Sequence, residues 1–232
     1  MRRIEFMQRR SQCIKVFVMQ TQTSFMRELL NRTPVMPILT LHDADSAPDV
    51  ARALLAGGVS VFEVVLRTPA AVQAVKNIRQ AVPEATVGMG TLMTPQDIDT
   101  ALAAGAMFGV SPGLTDELAQ AVQAKNFPFL PGVATASEVM AARRWGFREL
   151  KYFPAQGIAG VKWLGDMRGV FPDVQFCPTG GIRPPDIPAY LALANCNTVG
   201  GSWVVPTDSL QAKDWSTITQ LAQQASGMRA SA

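Results

Sequence analysis

Glu149-Leu150-Lys151-Tyr152-Phe153-Pro154-Ala155 reads as a β-strand with a lysine at its centre. Alternation puts Leu150 and Tyr152 on one face and Lys151 and Phe153 on the other. Both faces carry apolar or aromatic residues, which suits a sheet buried on both sides. A lysine inside such a sheet is costly unless partnered. Burial favours the neutral amine, which attacks carbonyl groups to form a Schiff base. The other reading is a strand-end lysine whose head reaches water along a covered stem. The rest of the chain has to separate the two.

Outward from this stretch, the same kind of run recurs. Val35–Leu41, Val59–Arg67, Thr86–Leu92, Phe108–Gly113, Phe127–Val133, Glu149–Ala155, Val174–Ile182 and Asn197–Trp203 are apolar and strand-like. They start roughly every 19 to 27 residues, the spacing of repeated β/α units. Helical stretches fill the gaps, about residues 47–56, 70–81, 95–104, 115–124, 137–145, 161–168 and 185–194, with a last helix about 214–225. Gly57-Gly58, Gly105 and Gly146 stand where helices need a left-handed end, and Thr94-Pro95 where one should start. The pattern predicts an α/β fold, a single-domain (β/α)8 TIM barrel over residues 26–232. Its catalytic groups should lie at the C-terminal ends of the strands. An open doubly wound sheet is the alternative, but no G-x-G-x-x-G follows the first strand.

The composition narrows the function. The chain of 232 residues is 48% hydrophobic and 17% charged, as in a soluble globular protein. No apolar run is long enough to span a membrane. Three cysteines, Cys13, Cys177 and Cys196, without C-x-x-C spacing suit a reducing cytoplasm better than a disulfide framework or a zinc site. A single histidine, His42, disfavours a histidine-based triad or metal cluster, so no metal or other cofactor is expected. Arg2, Arg3, Arg9, Arg10 and Lys15 against Glu5 put four net positive charges on residues 1–25, so the formal +3 of the chain leaves −1 for residues 26–232. The barrel therefore offers no basic stripe to nucleic acid, and no membrane partner is expected. Residues 1–25 read as a basic extension, disordered or upstream of the true start. Met1, Met19 and Met26 are candidate starts, and residues 1–18 are expected to be dispensable.

Several constellations carry chemistry. In Val61-Phe62-Glu63-Val64-Val65-Leu66-Arg67, Glu63 and Arg67 share the face that would line the barrel. They stand roughly 13 Å apart along a strand, Glu63 deeper and Arg67 near the mouth. A carboxylate beside an interior lysine can act as a general acid/base, and an arginine at the mouth can clamp a carboxylate or phosphate. A structural Glu63–Lys151 ion pair reads equally well from these residues alone. Gly88-Met89-Gly90-Thr91 leaves room for a ligand or another backbone, or forms a tight barrel layer. Ser111-Pro112-Gly113 and Leu130-Pro131-Gly132 turn sharply at strand ends. Pro178-Thr179-Gly180-Gly181 and Gly200-Gly201-Ser202 close the seventh and eighth runs, where barrels often build a phosphate site from backbone N–H groups.

Seven stretches together resemble the bacterial KDPG aldolase family (2-dehydro-3-deoxy-phosphogluconate aldolase, also 4-hydroxy-2-oxoglutarate aldolase). They are Ala56-Gly57-Gly58-Val59, Phe62–Thr68, Gly88-Met89-Gly90-Thr91, Ser111-Pro112-Gly113-Leu114, Leu150–Ala155, Phe176–Ile182 and Gly200-Gly201-Ser202-Trp203, in the family's order and spacing. The resemblance implies a class I, metal-independent aldolase splitting 2-dehydro-3-deoxy-6-phosphogluconate into pyruvate and glyceraldehyde 3-phosphate, with 4-hydroxy-2-oxoglutarate as a further substrate. By the same resemblance Lys151 is the Schiff-base lysine and Glu63 the general acid/base. Arg67, Thr91, Pro112 and Phe153 would line the pyruvoyl half, Gly180, Gly181 and Ser202 would hold the phosphate, and Thr179 and Gly201 would be further substrate-binding residues. The family also suggests a cytoplasmic homotrimer. Met89 stands where the family often has alanine and is expected to narrow the floor of the site. Gln156-Gly157-Ile158-Ala159-Gly160 departs from an acidic version of that loop. A sister aldolase for the galactonate epimer is the nearest rival, disfavoured by Arg67 and by Pro178-Thr179. A non-catalytic sugar-phosphate-binding barrel would need neither Lys151 nor Glu63.

Overall fold

Residues 24–157 and 159–228 are described by the structure, a computed structural model. The strands are β1 (Val35–Leu39), β2 (Val61–Val65), β3 (Thr86–Gly90), β4 (Gly109–Val110), β5 (Phe129–Leu130), β6 (Gly132–Val133), β7 (Glu149–Tyr152), β8 (Gln175–Pro178) and β9 (Val199–Gly201). The helices are α1 (24–31), α2 (Ala47–Ala56), α3 (Ala71–Ala81), α4 (Pro95–Ala103), α5 (Asp116–Ala124), α6 (Ala136–Arg144), α7 (Gly160–Val170), α8 (Ile187–Leu191, after a 3₁₀ turn at Pro184–Asp186), α9 (Thr207–Gln211) and α10 (Trp215–Ser226).

All pairings between these strands are parallel, in the order β5-β4-β3-β2-β1-β9 and β6-β7-β8. Pro131 has no N–H to donate and divides one expected strand into β5, which pairs with β4, and β6, which pairs with β7. Single bridges, Phe176 to Cys196 and Thr179 to Gly200, join β8 to the β9 segment. β9 in turn pairs with β1 through Val35–Val199, Met36–Gly200 and Pro37–Gly201. The ring is therefore closed and eight strands round, the barrel expected from the sequence. Its strands end earlier than their apolar runs. β2 stops at Val65 and β7 at Tyr152, leaving Arg67 and Phe153 in the turns beyond.

Period-2 alternation separates two cores. Phe62, Val64, Val87, Met89, Leu150, Tyr152, Phe176 and Val199 join the layer between barrel and helices. Met36, Val61, Phe108, Val110, Leu130 and Cys177 fill the interior with Met26, Leu29 and Leu30 of α1. Helix α1 thus plugs the N-terminal end of the barrel with apolar residues at helical spacing. Residues 24 and 25 of the expected extension belong to this helix, with Phe25 packed on the interior cluster. The candidate starts Met1 and Met19 lie outside the described residues.

The outer ring is set by caps and close approaches. Gly58, Gly105 and Gly146 have φ of +84°, +81° and +87°, the left-handed ends expected after their helices. Gly57 has another cause: a Cβ there would lie 2.3 Å from the Ala222 methyl, so α10 seats directly on the end of α2. Ser226 and Thr219 donate to the carbonyls of Gly57 and Ala53 and close the ring of helices. Tyr152 stacks on Trp163 of α7 at 4.5 Å and 3°, and Trp163 meets Phe176 edge-on at 5.7 Å. These contacts hold the outward face of β7 against α7, so the intervening Lys151 must face the interior.

Candidate active site

Strand β7 carries Lys151 into the barrel level with Gly132 of β6 and Cys177 of β8. Lys151 is buried, 5% exposed, and its Nζ lies 3.5 Å from Oε1 of Glu63, which is 0% exposed on β2 across the barrel. Oε2 of Glu63 has no hydrogen-bond partner among the described residues. The lysine is therefore not the solvated strand-end residue of the alternative reading. It is a primary amine held beside a carboxylate with one oxygen uncommitted. That oxygen can accept or deliver a proton. The ring of Phe153, two residues on, lies 5.4 Å from Nζ.

Each glycine of β3 makes room for a side chain of the barrel interior. A Cβ at Gly88 would come within 2.4 Å of the Phe108 ring, and one at Gly90 within 2.9 Å of Glu63 Oε1. Gly88 thus admits an aromatic into the barrel interior, and Gly90 makes space for the carboxylate. Met89 between them points outward into the helix layer and is fully buried there, so it does not narrow the floor of the site. That correction follows from period 2: flanked by two inward residues, Met89 has to face out.

At the mouth, Arg67 donates from Nε to the Thr91 hydroxyl at 3.0 Å. Thr91 follows Gly90 with φ +64°, a left-handed conformation that a β-branched residue rarely adopts. Arg67 is exposed in the turn after β2, so its guanidinium faces solvent above the buried pair. The carbonyl of Pro112 sits against Gly132, where a Cβ would approach it to 2.2 Å.

Gly180 and Gly181 adopt φ of +105° and +78° just past β8. A Cβ on Gly180 would lie 3.2 Å from the Phe153 ring, so this loop leans on the turn after β7. Thr179 is buried, with its hydroxyl 3.3 Å from the Cys177 carbonyl. Only a glycine at position 200 accommodates it, since a Cβ there would meet Thr179 Oγ1 at 2.3 Å. Gly201 ends β9, and Ser202 is exposed immediately after it. Among the mouth residues, Arg67 thus meets Thr91 and Phe153 meets Gly180 of the loop after β8, while Pro112 stands against Gly132.

Cys177 carries no role in the sequence reading. Burial pushes its thiol up to about 12, against the opposing pull of the Lys151 charge. It remains a neutral neighbour of the amine. Its two-residue spacing from Thr179 is the signal that it faces inward. Among the described residues no cluster of His, Cys, Asp and Glu could hold a metal ion, and no helix is long and apolar enough to cross a membrane.

The profile of the KDPG and KHG aldolase family matches residues 26–221. The KHG/KDPG aldolase of Escherichia coli (strain K12) is 46% identical over 197 residues, covering 85% of this chain and 92% of that protein. Among solved structures, the 2-keto-3-deoxy-6-phosphogluconate aldolase of Zymomonas mobilis ZM4 with 3-phosphoglycerate is similar at TM-score 0.85 and 44% identity, covering 90% of this chain and 98% of that one. The KDPG aldolase of Legionella pneumophila, with pyruvate captured at low pH as a covalent carbinolamine, is similar at TM-score 0.84 and 41% identity, covering 86% and 97%.

Proposed function

The chain belongs to the KDPG and KHG aldolase family, and from that premise we propose how its residues carry out the family's reaction. The protein is a class I aldolase that cleaves 2-dehydro-3-deoxy-6-phosphogluconate to pyruvate and D-glyceraldehyde 3-phosphate. Its similarity to a KHG/KDPG aldolase supports action on 4-hydroxy-2-oxoglutarate as well.

Lys151 Nζ adds to the C2 ketone, and the carbinolamine loses water to give an iminium. Glu63 supplies the proton for that dehydration and then removes the proton of the C4 hydroxyl. The C3–C4 bond breaks and its electrons run into the iminium. Glyceraldehyde 3-phosphate leaves as the aldehyde and an enamine remains. Glu63 returns a proton to C3, and water releases pyruvate and the free amine. Arg67, Thr91, Pro112 and Phe153 hold the pyruvoyl half. Thr179, Gly180, Gly181, Gly201 and Ser202 hold the phosphorylated end, where glycines allow close backbone approach to the anion.

The observation that carries this reading is the buried pair itself, an amine 3.5 Å from a carboxylate with a free oxygen. Borohydride reduction in the presence of pyruvate tests it. The adduct is expected on Lys151 alone; a label on Lys15, Lys76, Lys125, Lys162 or Lys213 would overturn the assignment. A homotrimer in the cytoplasm completes the proposal. Free buried thiols at Cys177 and Cys196 suit the reducing compartment.

A further inference from the structure

The turn after β7 and the loop after β8 are joined by one polar side chain. Gln156 Nε2 donates to Asp186 Oδ2 at 3.1 Å. An ionised aspartate can only accept, so the glutamine must present its amide nitrogen. The same Oδ2 accepts the Arg183 backbone N–H at 3.0 Å. The Arg183 guanidinium lies 3.6 Å from it but is largely exposed, which weakens its influence.

The backbone of Gln156 makes a second connection. Its N–H donates to the Gly180 carbonyl at 3.2 Å. In a trans peptide the N–H points opposite to the C=O. The Gly181 N–H therefore points away from the β7 turn, and it has no acceptor among the described residues. The stem of Gln156 also packs on Gly181, where a Cβ would lie 3.1 Å from Gln156 Cβ and Cγ. Gln156 thus fixes the orientation of the Gly180–Gly181 peptide from one side and ties its far flank through Asp186.

We propose that Gln156 is a positioning residue for the phosphate end of the substrate. Its neutral amide holds the loop after β8 so that the Gly181 N–H faces the anion, and it keeps a second carboxylate away from that site. The inference rests on the reading that the loops after β8 and β9 hold the phosphate. The chemistry requires a donor at position 156 because position 186 is an acceptor. Reversing both should preserve the bond, while reversing one should break it.

The test compares KM and kcat on 2-dehydro-3-deoxy-6-phosphogluconate and on unphosphorylated 4-hydroxy-2-oxoglutarate. Gln156→Glu sets two carboxylates against each other and adds negative charge near the phosphate. It should raise KM for the phosphorylated substrate roughly three- to tenfold, the scale of a partly screened charge repulsion, with kcat held. The unphosphorylated substrate should respond less. Gln156→Glu combined with Asp186→Asn keeps the wild-type net charge and lets the amide introduced at position 186 donate to the new carboxylate. KM should return toward the wild-type value. Gln156→Leu, which lacks the donor but adds no charge, should raise KM by less than Gln156→Glu. Pyruvate trapping on Lys151 verifies that each variant is folded. An unchanged KM in Gln156→Glu, or a double variant no better than the single, would overturn the proposal. Ser202→Ala run alongside separates the two levels. If it fails to discriminate the two substrates, the phosphate-site reading is at fault. If it discriminates and Gln156→Glu does not, only the role of Gln156 falls.

Discussion

Two carboxylate–cation pairs draw a residue each from the same strand of this barrel, and they differ in nearly every respect: Arg27 reaches Glu149 from the exposed side of α1, whereas Lys151 and Glu63 are both buried. Glu149 and Lys151 are two residues apart on β7 and face the same way. At the floor, Glu149 is buried and accepts Arg27 Nε at 2.7 Å, while Arg27 Nη2 reaches the Asp173 carbonyl of the neighbouring loop at 3.3 Å. Above it, Lys151 and Glu63 stand 3.5 Å apart, and Oε2 of Glu63 has no hydrogen-bond partner among the described residues. The floor pair uses guanidinium, which keeps its proton and whose planar fork favours fixed geometry. The upper pair uses a primary amine, which can lose its proton and become a nucleophile. The floor pair is tight and closes the plug. The upper pair is loose, leaving both groups able to move protons and take a substrate between them. Sequence spacing alone does not distinguish them; the tightness of their hydrogen bonding does.

The comparison can be broken at its strongest point first. Lys151→Ala should abolish cleavage and leave no borohydride-trapped adduct while the protein stays folded. Retained turnover would show that Lys151 is as structural as Arg27. Next, Glu63→Gln should slow turnover by roughly 10²–10⁴-fold, the contribution of a positioned acid/base. Imine formation should continue slowly with water as proton carrier, so a trapped adduct should still accumulate. A variant with normal kcat would assign proton transfer to another group.

The floor pair should respond oppositely. Arg27→Ala leaves a buried carboxylate without its donor and should cost about 1–3 kcal/mol of stability in chemical denaturation. The cost is capped because the carboxyl can take up a proton. Turnover per folded molecule should hold, and a fall in kcat without loss of stability would erase the distinction between the two pairs.

The smallest effect concerns pH. Burial raises the Glu149 carboxyl above its ordinary 4.5, with Arg27 opposing the shift. The folded state then binds the proton more tightly than the unfolded state. This contribution to stability is complete below about 4.5 and is lost as pH rises through the raised value. Glu149→Gln should therefore flatten the decline of stability across that window. An unchanged pH profile would mean that Arg27 cancels the burial cost.

Much of the site is legible because strands alternate. Lys151 and Glu63 have to face a common interior once Leu150 and Tyr152, and Phe62 and Val64, are assigned to the helix layer. Met89 shows the same rule misapplied: as a candidate for the site floor it stands between two glycines that already occupy the inward positions. Helix α1 is hidden although Met26, Leu29 and Leu30 carry its signal, because the basic run before them dominates the composition of that segment. Pro131 gives its position as a turn but not its effect, since dividing one strand between two neighbours depends on which strands those are.

By itself, the order of residues determined the eight β/α units, the inward direction of Lys151 and Glu63, and the glycine ends of helices, all set by local periodicity and backbone sterics. The tertiary structure alone decided the 3.5 Å separation of a lysine and a glutamate 88 residues apart, the oxygen of Glu63 left free, and the contact between Gln156 and Asp186. These depend on barrel closure and on how far each strand is staggered against the next. A period of two states which face a side chain takes, but not how deep in the barrel it ends or which partner it meets there.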